Sequence, residues 1–148
     1  MFRRIAIIVL SAVMVLAPLT TLAQSSDEVR GRIEQLHGNA DGFDEAFKLV
    51  TEAMKFGDPV TISDLSNYPL TVNANGETYD ILSAKDMRDN YDSLVMQETQ
   101  NAVSEQRYDD LIVNSDGVGL ANGALWMAGI CDNSDCSQSH WAIISINN

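Results

Sequence analysis

Histidine and cysteine are scarce in this chain, with two of each. A zinc site wants four ligands, and two histidines in the whole chain do not supply a Cys/His cluster. Positive charge is scarce as well: nine Lys and Arg stand against 21 Asp and Glu, a net charge of −12. Such a chain is repelled by nucleic acid and by anionic membrane surfaces, and it attracts a basic partner or a cationic ligand. The acidic residues are dispersed rather than gathered in a tail, a pattern that also serves solubility. No Gly-x-Ser-x-Gly turn occurs, and Ser137 and Ser139 are sequence neighbours of His140, which rarely make a triad. Gly117, Gly119 and Gly123 are followed by no Lys-Ser/Thr, so they read as turn or bulge residues rather than a phosphate cradle. The oxygens of Asp132, Asn133, Ser134 and Asp135 fall short of the twelve-residue calcium loop.

One long hydrophobic run exists, Ile5 to Leu16, and it is shorter than the about 20 residues a membrane span needs. Met1-Phe2-Arg3-Arg4 precedes it, and Thr21-Leu22-Ala23 offers small residues at a cleavage position. Residues 1–23 therefore read as a cleaved signal peptide, and Gln24–Asn148 as one exported domain, periplasmic or secreted. Gln24, not Cys, follows the cut, which argues against a lipid anchor. Loss of Arg3 and Arg4 makes the net charge of −12 more negative by two. In an oxidising compartment Cys131 and Cys136 read as a disulfide at a hairpin tip.

Gln24–His37 has Val29, Ile33 and Leu36 at helical spacing, which fits a short amphipathic helix or an arm that docks. Phe43, Phe47, Val50 and Met54 recur at i, i+4, i+7 and i+11, widened by Ala46, Leu49 and Ala53. They predict a helix from Phe43 to Phe56, capped by Asp41 and stopped at Gly57-Asp58-Pro59. Asn75-Gly76 between alternating runs predicts a β-hairpin. Ser83 with Asp86 opens a further helix whose apolar face is Met87, Tyr91, Leu94 and Val95, followed by a helical piece from Met96 to about Gln106. From Leu111 onward the chain reads as an antiparallel meander. The order predicts an α+β domain, with helices on one face of a curved antiparallel sheet.

The stretch Asn67-Tyr68-Pro69-Leu70-Thr71-Val72-Asn73 resembles a group of small exported bacterial proteins. So do Asn90-Tyr91-Asp92, Asn114-Ser115-Asp116-Gly117-Val118-Gly119-Leu120, Gly123-Ala124-Leu125-Trp126 and Ile143-Ile144-Ser145-Ile146-Asn147. These proteins have the cystatin-like, nuclear-transport-factor-two-like cone fold, and most have no known function. The resemblance spans about residues 43–147 and implies a bent sheet wrapped on helices, often around a conical cavity. No catalytic residue carries over from it, and fold alone assigns no chemistry.

A carboxylate with apolar neighbours could still move protons. Asp80, Asp92 and Asp116 are the candidates, although alternation places Asp80 toward water. Tyr68, Tyr91, Trp126 and Trp141 could line a cavity or an interface, with Trp126 expected in the core. The candidate pocket is Tyr68, Tyr91, Asp92 and Trp126, with no catalytic residue, metal or cofactor assigned. The leading expectation is a soluble binding protein, an inhibitor or immunity-type partner of a basic protein such as a lysozyme-like enzyme. The alternatives are a small-molecule binder or cavity enzyme using an Asp/Tyr pair, and an assembly domain that forms a homodimer through its sheet face.

Overall fold

The computed structural model describes residues 23–148. The proposed signal peptide therefore lies, but for Ala23, outside the described residues. The domain opens with helix α1 (Ser26–His37), and Ser25 and Glu28 form a capping box at its start. The segment docks: Val29 and Ile33 are buried, and the His37 ring nitrogen lies 2.7 Å from the Asn114 carbonyl oxygen.

Helix α2 (Ala40–Phe56) begins three residues earlier than expected. Asn39, in the left-handed region, is its cap and accepts from the Gly42 amide; Asp41 lies inside the first turn instead. Gly57 closes it at φ 60°, a conformation glycine adopts without a Cβ penalty. Asp58 then caps α3 (Pro59–Asp64), accepting from the Val60 and Thr61 amides. Two strands follow, β1 (Ser66–Ala74) and β2 (Glu77–Ile81), joined at Asn75-Gly76, both at positive φ. The expected single helix after Ser83 is two short ones, α4 (Ala84–Asp89) and α5 (Tyr91–Leu94), broken at Asn90. Even so, Met87, Tyr91, Leu94 and Val95 all reach the core. Helix α6 (Gln97–Ser104) leads through a 3-10 turn (Tyr108–Asp110) into β3 (Ile112–Asn114), β4 (Gly117–Leu120), β5 (Leu125–Cys131) and β6 (Ser139–Asn147).

The described strands form a six-stranded sheet in the order β2-β1-β6-β5-β4-β3. It is mixed rather than antiparallel throughout, because β1 and β6 pair in parallel, Thr71 beside Ser145 and Val72 beside Ile146. A parallel pair needs a long crossover, and the chain from β2 through β5 supplies it. Register aligns Ile112, Gly119, Trp126, Ser145, Thr71 and Asp80 in one row across the six strands. Their neighbours Leu70, Val72, Val118, Leu120, Leu125, Met127 and Ile146 are buried against the helices. The row therefore marks the sheet's other face.

Trp126 consequently lies outside the core. Its six-membered ring is laid over Gly119, where a Cβ would come within 3.1 Å of Cζ2, and its indole nitrogen borders Gly123. The aromatic ring covers backbone that glycine leaves bare. Cys131, the last residue of β5 and paired with Ser139, stands at disulfide distance from Cys136 in the loop that joins β5 to β6, with Cα atoms 4.7 Å apart.

Two glycine substitutions should act in opposite directions. Gly117, at φ 150°, has no room: a Cβ would drive into the Met127 carbonyl oxygen. Gly31, in the middle of α1, faces open space. Chemical denaturation should show Gly117→Ala losing about 3 kcal/mol and Gly31→Ala gaining about 0.5–1 kcal/mol.

Candidate functional site

Helix α2 has two stripes. Phe43, Val50 and Met54 are buried at 0–1 % exposure against the sheet and the other helices. Phe47, in the same stripe, packs edge-on against Tyr108 with ring centroids 5.4 Å apart. Glu45, Leu49, Glu52 and Phe56 repeat the same spacing two residues later. At 3.6 residues per turn that offset is about 200°, the opposite side of the helix. Leu49, expected in the core stripe, is accordingly 47 % exposed, and Phe56 is 71 % exposed.

Two open depressions meet at Leu49. One, of about 260 Å³, lies between α2 and the start of α3 and is lined by Leu49, Glu52, Ala53, Phe56, Asp58 and Thr61. The other, of about 470 Å³, runs toward the first residues of β6, past Asp41, Glu45, Leu65, His140 and Trp141. Together they form a shallow groove with an apolar floor and carboxylates on its rim. Val60 on α3, between the lining residues Asp58 and Thr61 in sequence, is also 52 % exposed. Among the described residues no Lys or Arg lines either depression. Arg30 engages Asp41, and the Lys55 ammonium lies 5.7 Å from the centre of the Phe56 ring. Among the described residues no cation pairs with the rim carboxylates Glu45, Glu52 and Asp58.

The rim is fixed by ordinary helix chemistry. Asp58 is held below the usual carboxylate range by the Thr61 hydroxyl, which donates to it at 2.6 Å, and by the Thr61 and Val60 amides. It stays charged through the neutral range. At the other end the Trp141 indole donates to the Asn39 carbonyl at 3.0 Å, tying β6 to the entry of α2. His140 pairs with Asp132 at 2.6 Å across the base of the cysteine loop.

A second network holds α1 to α2. Asp44 accepts from the Tyr108 hydroxyl at 2.6 Å and from Arg30 Nε at 3.0 Å. Burial and the neighbouring Asp44 carboxylate push the Tyr108 phenol well up, and the Asp44 hydrogen bond raises Arg30 further. Sequence spacing gave no sign of this triad, whose members lie on three elements.

The residues singled out from sequence are dispersed. Tyr91 is buried, with its hydroxyl 3.8 Å from the Met54 sulfur; burial first, then the Asp58 and Asp92 charges, push it up to about 12. Asp92 is exposed beside it, in a surface depression shared with Arg88 and Asn90. Tyr68 donates to the Ser63 carbonyl at 2.7 Å, and the Ser63 hydroxyl accepts from Arg88 at 3.1 Å. Tyr68 thus reaches the edge of the same region, and burial raises its phenol too. Trp126 is on the outer sheet face, away from the other three. Asp80 and Asp116 are exposed, and Trp141 is buried.

Among the described residues no three His, Cys, Asp or Glu side chains converge as a metal site, and no helix is long and apolar enough to cross a membrane. The chain matches no family profile, no curated protein and no solved structure. The groove must therefore be interpreted from its own chemistry. An apolar floor with a carboxylate rim suits a partner that brings apolar side chains among positive charges.

The tyrosines set an alkaline limit. Tyr91 is neutral in the folded state up to about 12, whereas the ordinary value in an unfolded chain is 10.0. Its contribution is complete below pH 10 and declines from there toward about 12, as the unfolded state ionises first. Denaturation midpoints followed through this window should fall, and Tyr91→Phe should flatten the fall relative to the unsubstituted protein.

Proposed function

We propose that this is an exported binding protein that captures a basic protein through the outer stripe of α2. The observation that carries the reading is the exposed Leu49–Phe56 surface bordered by Glu45, Glu52 and Asp58, with no Lys or Arg among the described residues lining the depressions. Apolar residues left at the surface in a contiguous group mark interaction sites. The surrounding negative charge would speed encounter with a basic partner and discriminate against acidic ones. An inhibitor or immunity-type role fits a small acidic exported domain, and lysozyme-type enzymes have the matching charge.

The cavity reading has less support. Phe43, Met54, Tyr91, Leu120 and Met127 fill the space between helices and sheet, and the depressions described above lie at the surface. The export part rests on the signal-like residues 1–23 and on the cysteine pair at disulfide distance. We read the architecture as the cystatin-like cone fold; its support is the helix-first order and the closing four-strand meander.

Titration calorimetry against a basic lysozyme-type enzyme tests the reading. Affinity should fall steeply as salt shortens the screening length from about 10 Å at 0.1 M to about 3 Å at 1 M. Phe56→Ala and Leu49→Ala should each weaken binding about tenfold. Glu45→Lys with Glu52→Lys should weaken it further and flatten the salt dependence, while Asp80→Lys on the sheet should change little. Binding indifferent to salt and to the α2 substitutions would overturn the groove assignment.

A further inference from the structure

Gln24 is the first described residue whose side chain reaches the body of the domain. Ala23 before it is exposed, and Ser25 after it caps α1. The Gln24 amide nitrogen donates twice, to the Asp109 carbonyl at 2.8 Å and to the Leu111 carbonyl at 3.0 Å. Both of its hydrogens are therefore engaged by the turn that leads into β3. The small-residue pattern Thr21-Leu22-Ala23 puts the cut immediately before Gln24.

Cleavage after Ala23 would give Gln24 a free α-amine, and an amino-terminal glutamine carries its own reaction. The neutral amine attacks Cδ of the side-chain amide. The N–Cδ bond forms, the Cδ–Nε2 bond breaks, and a proton passes from the attacking to the departing nitrogen. Nε2 leaves as ammonia and a pyroglutamyl lactam remains. No oxidant or other reagent is consumed. The nitrogen that leaves is the one that the fold holds. Cyclisation removes both donors from the Asp109 and Leu111 carbonyls and takes away the terminal positive charge.

We propose that Gln24 is the amino-terminal residue of the exported chain and a cyclisation site that the fold keeps closed through these two hydrogen bonds. Opening of the α1 end, rather than the chemistry of the amine, then controls the modification. Val29 and Ile33, buried beneath α1, set how often that end opens. The inference rests on the export part of the proposed function and not on the α2 groove.

The test is intact-mass analysis of protein exported from the full chain, then incubated at one pH both in native buffer and in denaturant. The mature mass should begin at Gln24 with its ammonia retained. Loss of ammonia should be at least about tenfold slower in native buffer than in denaturant, as two ordinary hydrogen bonds imply. Val29→Ala, which loosens α1 without touching Gln24, should speed the native reaction. A mature chain that starts elsewhere, equal rates in the two buffers, or native protein isolated already cyclised would each overturn the proposal. None of these would disturb salt-dependent binding at α2, so the two readings fail separately.

Discussion

A helix with apolar residues on opposite sides can bury only one of them in a two-layer domain, and α2 is such a helix. Its inner stripe, Phe43, Val50 and Met54, is completely enclosed. Burying each large side chain contributes about 1.5–3 kcal/mol, so this face has no freedom to turn outward. Once it is seated, Glu45, Leu49, Glu52 and Phe56 must face away. The exposed stripe thus follows from the same periodicity that builds the core. Its carboxylates, Glu45 and Glu52, surround that apolar surface with negative charge, the feature on which the proposed recognition of a basic partner rests.

The sheet provides the rigid backing. β6 is flanked by β1 and β5, so the last strand lies between two others and draws the N-terminal hairpin against the C-terminal meander. Asn148 reinforces this junction. Its side chain donates to the Asn73 and Leu94 carbonyls and accepts from the Met96 amide at the start of α6. On the opposite side, Trp141 joins β6 to the entry of α2. The groove is therefore bounded by the best-connected strand and a fully seated helix, which favours a preformed surface over one assembled on binding.

Much of this architecture was legible because the signals were local. Asn75-Gly76 needs positive φ at both residues and adopts it. Ser83 caps α4 as its position implied, and the Phe43-to-Met54 spacing identified the buried face of α2. What was hidden depended on distant partners. Nothing near Leu70 or Ile146 announces that their strands run parallel. Trp126 sits in an apolar run that conceals period-two alternation, yet Leu125 and Met127 on either side of it point inward and so place it outward. The bare backbone of Gly119 opposite it was the available clue. Leu49 reads as a widening of the Phe43-to-Met54 stripe, yet its register with Glu45, Glu52 and Phe56 places it on the other side. The Asp44–Arg30–Tyr108 triad and the Gln24 contacts join residues far apart in sequence and left no local mark.

The most direct measurement of the central claim, that recognition belongs to the outer stripe of α2 while the interior stays closed, is an NMR titration. The labelled protein would be titrated with a basic amphipathic peptide of alternating Leu and Lys faces. The account predicts amide shifts concentrated on Glu45, Leu49, Glu52, Phe56 and Val60, with Met54 and Tyr91 unchanged. Shifts centred instead on Tyr91 and its buried neighbours, or on the Trp126 face of the sheet, would contradict it.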